Sequence, residues 1–170
     1  SSNLCVHKDI FSLIVRYFHD VDKIGLILSI CPNLRIKKEI KDKLFNKAAL
    51  NGSLGMMKYM LSNNFPYDSL VFVNAAYHGS LDNLKWLLSN NFPYNSGVFQ
   101  NAALYGSLDN LRWLLENNFP YNSWVFYYAA SNGSLDYILW KNMMEWLLFN
   151  NFPYDEWVFA RAAEKGSLDH

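Results

Sequence analysis

Cysteine is scarce in this chain, which has 170 residues and only Cys5 and Cys31. Neither belongs to a Cys-x-x-Cys motif or stands near a paired histidine, so a disulfide framework is excluded and reduced thiols in a cytoplasmic compartment are expected. An excess of charge is also absent, because 15 basic residues balance 15 acidic ones. The chain therefore lacks the excess of positive charge that is typical of proteins that bind nucleic acid or an anionic membrane. No apolar run approaches the ~20 residues that span a bilayer.

Catalytic and cofactor motifs are missing as well. No Ser-His-Asp set, glycine-rich phosphate loop or pair of catalytic carboxylates is recognisable. The basic stretch at 35–43 is interrupted by Glu39 and Asp42, which is typical of a solvated helix face. The four histidines have no pair at metal-ligand spacing and are interpreted as solvated side chains; they are His7, His19, His78 and His170. We expect no enzyme, no cofactor and no metal.

A repeated segment dominates what is present. GSLDNLKWLLSNNFPY occupies 79–94, and GSLDNLRWLLENNFPY occupies 106–121. A weaker copy fills 52–67, a later one fills 133–154, and a fifth opens at Gly166. The copies therefore start 27, 27, 27 and 33 residues apart. Such periodicity indicates an array of stacked supersecondary units. The fifth copy stops at His170 where its second helix should start, so we expect the natural chain to continue.

Each copy reads as two helices. Asn95 or Ser96 can cap a first helix over 98–105, and Gly106 ends it in a left-handed turn. Ser107 caps the second helix. Asp109 lies in its first turn, where the helix dipole favours an anion. The apolar stripe of this helix has helical spacing and comprises Leu108, Leu111, Leu114 and Leu115.

The end of the second helix is marked by NNFP. Asn117 and Asn118 can adopt the left-handed conformation, and Pro120 prevents the helix from resuming. In the fourth copy, six extra residues cannot make whole helical turns, because ~3.6 residues make one. Two alternatives remain there: a longer helix with a reoriented start, or an interruption near Lys141 and Asn142.

The pattern V-F-x-N-A-A-x-x-G-S-L-D-N-L-x-W-L-L resembles the ankyrin repeat. Phe72, Phe99, Phe126 and Phe159 take the place of the buried leucine, and alanine pairs match at 75–76, 102–103, 129–130 and 162–163. The resemblance covers 42–170, about four and a half copies, and implies an all-α solenoid. The six residues missing per copy imply short turns in place of projecting hairpins. The L-x-W-L-L and N-F-P-Y elements are similar to degenerate ankyrin repeats of giant viruses that infect amoebae.

The region 1–41 lies outside the repeat. Two apolar helical stripes there, interrupted by D-x-D, resemble an F-box, although its usual Leu-Pro opening and Cys-basic-x-Trp close are absent. The resemblance implies that this region docks a Skp-type linker of a cullin ubiquitin ligase. The linker-binding residues would be Ile10, Leu13, Ile14 and Ile24. The alternative is that the region only caps the solenoid.

Positions that differ between copies are candidates for partner contact, because the fold does not fix them. In ankyrin-like stacking they line the concave groove. The candidates are Asn74, Tyr77, His78, Asn101, Tyr105, Trp124, Tyr128, Asn132, Trp157 and Arg161. For Trp124 and Trp157, contact with a partner and local packing within the fold are both possible interpretations. For Trp86, Trp113 and Trp146, packing against the Phe-Pro-Tyr tails is preferred over a binding ladder, because every copy keeps both features.

Varied polar and aromatic side chains on a rigid platform favour protein recognition. The chain is therefore predicted to be a protein-binding module with a host or viral partner. If the F-box resemblance holds, it recruits substrates to a ligase in the host cytoplasm. The alternative is a structural scaffold or virion-associated protein with no ligase role.

Overall fold

The computed structural model describes residues 38–78, 80–105, 107–131, 137–158 and 160. Within these ranges every regular element is a helix and no residue forms a β-strand, as the repeat pattern predicts. None of the described helices combines the length and hydrophobicity needed to cross a bilayer. The helices are α1 (Lys38–Leu50), α2 (Leu54–Ser62), α3 (Ser69–His78), α4 (Leu81–Ser89), α5 (Gly97–Leu104), α6 (Leu108–Glu116), α7 (Trp124–Ser131) and α8 (Tyr137–Phe149).

The helices alternate between two roles. The first helices of successive repeats, α1, α3, α5 and α7, pack against one another in chain order. The second helices α2, α4, α6 and α8 each pack against the first helix of their own repeat. One continuous core runs through the stack, so each helix pair buries the apolar surface that it could not bury alone. The fold is an all-α, ankyrin-like solenoid of helical repeats.

The first helices start at an Asx turn. The Oδ1 atom of Asn95 accepts a hydrogen bond from the Gly97 backbone N at 2.8 Å, whereas Ser96 makes no side-chain capping bond. Asn95 is therefore the capping residue of the two candidates. The same two-residue bond recurs in the other copies, at Asp68, Asn122 and Asp155. In these four copies a short side chain with an amide or carboxylate oxygen satisfies an otherwise unpaired helix N–H.

The two asparagines at the end of each second helix have different roles. Asn118 has φ 57°, the left-handed conformation that asparagine tolerates better than most residues. Asn117 donates from Nδ2 to the Trp113 carbonyl at 2.8 Å. The Phe119 N–H returns to the Leu114 carbonyl at 3.1 Å, which closes the helix end and satisfies a carbonyl. The left-handed turn predicted at NNFP is confirmed, and it recurs at Asn64, Asn91 and Asn151.

The fourth copy takes up four of its six extra residues in a longer second helix. α8 runs unbroken through Lys141 and Asn142 over 13 residues, whereas α6 has 9. The longer helix is therefore the correct alternative. Met143 is buried at the place that Asn110 takes in α6. The added residues precede Met143, and they leave Ile138 and Leu139 exposed.

Candidate protein-binding surface

Within the first helices, residues that are constant between copies are buried, whereas residues that vary lie on the opposite side. Phe72, Phe99 and Phe126, together with their alanine pairs, are fully or almost fully buried. The outward positions follow the i, i+3, i+4, i+7 spacing of one helix side. We call this surface the first-helix face. It comprises Leu70, Val73, Asn74, Tyr77, Gly97, Gln100, Asn101, Leu104, Trp124, Tyr127, Tyr128 and Ser131, all of them exposed or half-buried.

The first-helix face lies on α3, α5 and α7, and it leaves out α1 with its Lys43 and Lys47; within these limits it carries no acidic or basic side chain. The sequences of its helices, SLVFVNAAYH, GVFQNAAL and WVFYYAAS, contain no Asp, Glu, Lys or Arg. Charged residues of the same repeats lie on the second helices, for example Lys85 on α4 and Arg112 on α6. Interface cores are typically depleted in charge and enriched in aromatic residues. The sequence of each helix contains this separation of charged and uncharged helices, but a comparison of single positions between copies did not reveal it.

An aromatic cluster occupies the α7 end of the first-helix face. Trp124 is 54% exposed. Its ring centroid lies 5.4 Å from Tyr127 and 6.3 Å from Tyr128. Asn122 fixes its position, because the Oδ1 atom accepts from the Trp124 backbone N and from Gln100 Nε2, both at 3.2 Å. The cluster is therefore tied to the preceding repeat. Trp157, at the corresponding place one repeat later, is 70% exposed.

Two tyrosines, one on this face and one at its border, join neighbouring repeats. Tyr77, near the end of α3, and Tyr105, which follows α5, have ring centroids 3.7 Å apart. The hydrogen bond with Tyr77, followed by partial burial and the neighbouring phenol charge, raises the pKa of Tyr105 to about 12. Tyr105 therefore stays a neutral hydroxyl through the physiological range, and the pair adds aromatic surface without charge.

The first-helix face also carries amide side chains. Asn74 donates from Nδ2 to Asn46 Oδ1 of α1 at 3.3 Å. Asn101 donates from Nδ2 to the Gly97 carbonyl of its own helix at 2.9 Å. Both side chains are half-buried. Each amide therefore has a defined orientation, which lowers the entropic cost of a further hydrogen bond to a partner.

The structure brings many of the predicted contact residues together. Asn74, Tyr77, Asn101, Trp124 and Tyr128 share the first-helix face, and Tyr105 borders it. Tyr128 also packs against the core, so its side chain contributes to stability as well as to the surface. The following lie outside the described residues or have undescribed side chains: His78, Asn132, Arg161, Ile10, Leu13, Ile14 and Ile24.

The tryptophans of the second helices have a packing role. The ring of Trp113 lies 5.7 Å from Phe119, in the tail of its own repeat. Trp86 and Trp146 contact Phe92 and Phe152 in the same way, each at 5.5 Å. Each of these phenylalanines is buried. These contacts match the packing interpretation drawn from the sequence, and the second-helix tryptophans are not part of the candidate surface.

Comparison with known families gives one match. Residues 99–148 match the family model described as Ankyrin repeats (many copies). The match supports an ankyrin-repeat protein. It extends from within α5 to within α8 and includes Trp124, Tyr127 and Tyr128. Ankyrin repeats are generic modules of protein–protein interaction and are not catalytic. No curated protein matches the chain.

Proposed function

We propose that the chain is a protein-binding module and that the first-helix face is its contact surface. The observation that carries the proposal is the separation between constant and variable positions. Phe99 and its buried equivalents lie inside the stack, whereas the variable side chains of the first-helix face are exposed or half-buried. A surface that the fold does not constrain can be adapted to a partner.

The chemistry of the face suits this role. Tryptophan and tyrosine are enriched among residues that dominate binding energy, because they bury a large area with few rotatable bonds. Trp124 presents such a ring, and its backbone is held by a capping bond. The repeat stack beneath is a rigid platform, so little order has to be acquired on binding.

A finer proposal concerns the region 1–41. Its F-box-like pattern supports a substrate-recruiting adaptor in which Ile10, Leu13, Ile14 and Ile24 dock a Skp-type linker, while the repeats hold the substrate. The proposed setting is the host cytoplasm, with a viral origin of the chain. Titration of the full chain with a purified Skp-type linker tests this. Absence of binding at high micromolar concentration would retire the ligase role and leave the scaffold or virion alternative.

The test of the binding surface is a pair of substitutions on exposed aromatic residues. Trp124→Ala with Trp157→Ala removes two rings from one row of first-helix positions. Phe149→Ala is the matched control, because Phe149 is 85% exposed on the second helix α8. Thermal melts should change little for either variant, since exposed side chains rarely contribute more than about 0.5 kcal/mol. Capture of protein partners should be lost only in the double variant. A scaffold that binds through its second helices would give the opposite result.

A further inference from the structure

We infer that the first-helix face binds an uncharged, extended peptide segment of about six residues. The inference rests on the proposed function and specifies the chemistry of the partner. Two observations carry it: the absence of charge on the face, and a set of side-chain amide oxygens that accept no hydrogen bond within the described residues. The usual spacing of packed helices then sets the length of the segment.

The absence of charge selects against charged partners. A carboxylate or ammonium group that docks on α3, α5 or α7 loses hydration, and the sequences of these helices offer no opposite charge in return. An unpaired desolvated charge costs several kcal/mol, whereas an apolar side chain gains from the same burial. The face therefore discriminates by charge, and a neutral segment fits it.

The side-chain amide oxygens of the face can accept hydrogen bonds from a partner. Asn74, Gln100 and Asn101 each use a side-chain N–H for an internal bond. Within the described part of the chain, their side-chain carbonyl oxygens accept no hydrogen bond. All three residues are half-buried on the first-helix face. The uncharged group that presents several N–H donors in a row is a peptide backbone in its extended form.

The aromatic groups of the first-helix face and its border suit apolar side chains. Trp124, Tyr127 and Tyr128 form one aromatic surface, and the Tyr77–Tyr105 pair forms another. A segment that crosses the face therefore places backbone N–H groups over the amides. Its apolar side chains pack against the rings, where aromatic contact adds to simple burial.

Helix spacing sets the length of the segment. Packed helices lie ~8–10 Å apart, so the two steps from α3 to α7 span roughly 16–20 Å. An extended chain advances ~3.3 Å per residue, so about six residues cover that span. The face is bordered by α1, where Lys43 and Lys47 restore positive charge. The uncharged part of the segment is expected to end there.

Selection from a displayed library of random peptides tests the inference, with the full chain as bait and the Trp124→Ala variant for counter-selection. We expect selected peptides to share an uncharged window of about six residues rich in apolar side chains. Their Kd should change less than about twofold between low and high salt, because no ion pair is formed for salt to screen. Asn101→Leu should weaken binding about fivefold, as expected for one lost hydrogen bond. Lys85→Ala, on the second helix α4, should leave binding unchanged.

Two results would overturn the inference. Peptides rich in acidic or basic residues that still require Trp124 would show the partner chemistry to be wrong, while the proposed binding surface would stand. A selection that yields no Trp124-dependent peptide would also overturn it. The proposed binding surface would then depend only on the capture of protein partners by the Trp124→Ala, Trp157→Ala variant. If Asn101→Leu fails to fold by circular dichroism, Gln100→Leu provides the same reading, since its oxygen belongs to the same set.

Discussion

The side chain of Asn83 donates a hydrogen bond from Nδ2 to the backbone carbonyl of Gly52, 3.0 Å away in the preceding repeat. Asn83 is almost fully buried in α4. The bond joins the start of one second helix to the turn that precedes another. Asn110 is buried at the same place one repeat later, so a buried amide is a recurring element of the stack.

Asn83→Ala should destabilise the chain by about 1–3 kcal/mol, because it removes a buried hydrogen bond and leaves space behind. Asn83→Met is the matched control, since Met56 and Met143 are buried at the equivalent place in other copies. It should cost less than Asn83→Ala because methionine fills the space that alanine leaves, while the Leu54 N–H still donates to the Gly52 carbonyl in both variants. Urea unfolding of the two variants measures the difference. Equal losses would mean that the buried space contributes little and that the lost hydrogen bond accounts for the whole effect.

The paired asparagines at the end of α6 should respond differently to substitution. Asn118 has φ 57°, so Asn118→Gly should be tolerated, whereas Asn118→Val should cost about 1–2 kcal/mol through left-handed strain. Asn117→Ala loses only the side-chain bond to the Trp113 carbonyl, about 1 kcal/mol. Thermal melts would distinguish them. A Val variant as stable as the Gly variant would argue against a conformational role for Asn118.

Repetition made most of the fold predictable. The glycine spacing and the NNFP motif indicated two helices per copy, and local chemistry was sufficient because caps and turns depend on residues only a few positions apart. The partner of Asn83 was not predictable, because Gly52 lies 31 residues away and their contact depends on how repeats stack. The continuity of α8 was likewise left open, since packing decides which face of a longer helix is buried.

The candidate surface was predictable in part. Comparison of copies pointed to Asn74, Asn101 and Tyr128, which the structure places on the first-helix face. That comparison could not show that Tyr128 also packs against the core, because a position can vary in identity and still be partly buried. Nor could it show that Tyr77 and Tyr105 meet, since the two belong to different repeats.

Phe99 should be essential to the stack. It is fully buried, and its ring lies 5.4 Å from Tyr121 and 5.5 Å from Phe152. Phe99→Ala should therefore cost about 3–5 kcal/mol, a large part of the ~5–15 kcal/mol typical of a domain. Denaturant unfolding should show the loss, whereas the exposed Trp124→Ala should change stability by no more than about 0.5 kcal/mol. Similar losses for both would contradict the division between core and surface.

The Tyr77–Tyr105 pair should make stability fall at alkaline pH. The pKa of Tyr105 is raised from 10.0 to about 12, mainly by the hydrogen bond with Tyr77. The unfolded chain therefore releases this proton at a lower pH than the folded chain does. The stabilisation of the folded state by the tyrosine pair is present below about pH 10 and is lost as the pH rises towards about 12. When tyrosine ionisation is followed by ultraviolet absorbance, one tyrosine should ionise at a higher pH than the others, and Tyr105→Phe should remove that step. Tyr77→Phe should shift it to lower pH. An unchanged titration in Tyr77→Phe would exclude the hydrogen bond as its cause.

A photo-crosslinking side chain at position 124 reports what touches the first-helix face. A benzophenone amino acid replaces Trp124 in one variant and Phe149 on α8 in a matched one, since both natural residues are exposed. Irradiation in cell extract should give discrete protein adducts from position 124, with few or none from position 149. An excess of a selected uncharged peptide should suppress them. Adducts that form only from position 149 would contradict the assignment and move the contact surface to the second helices.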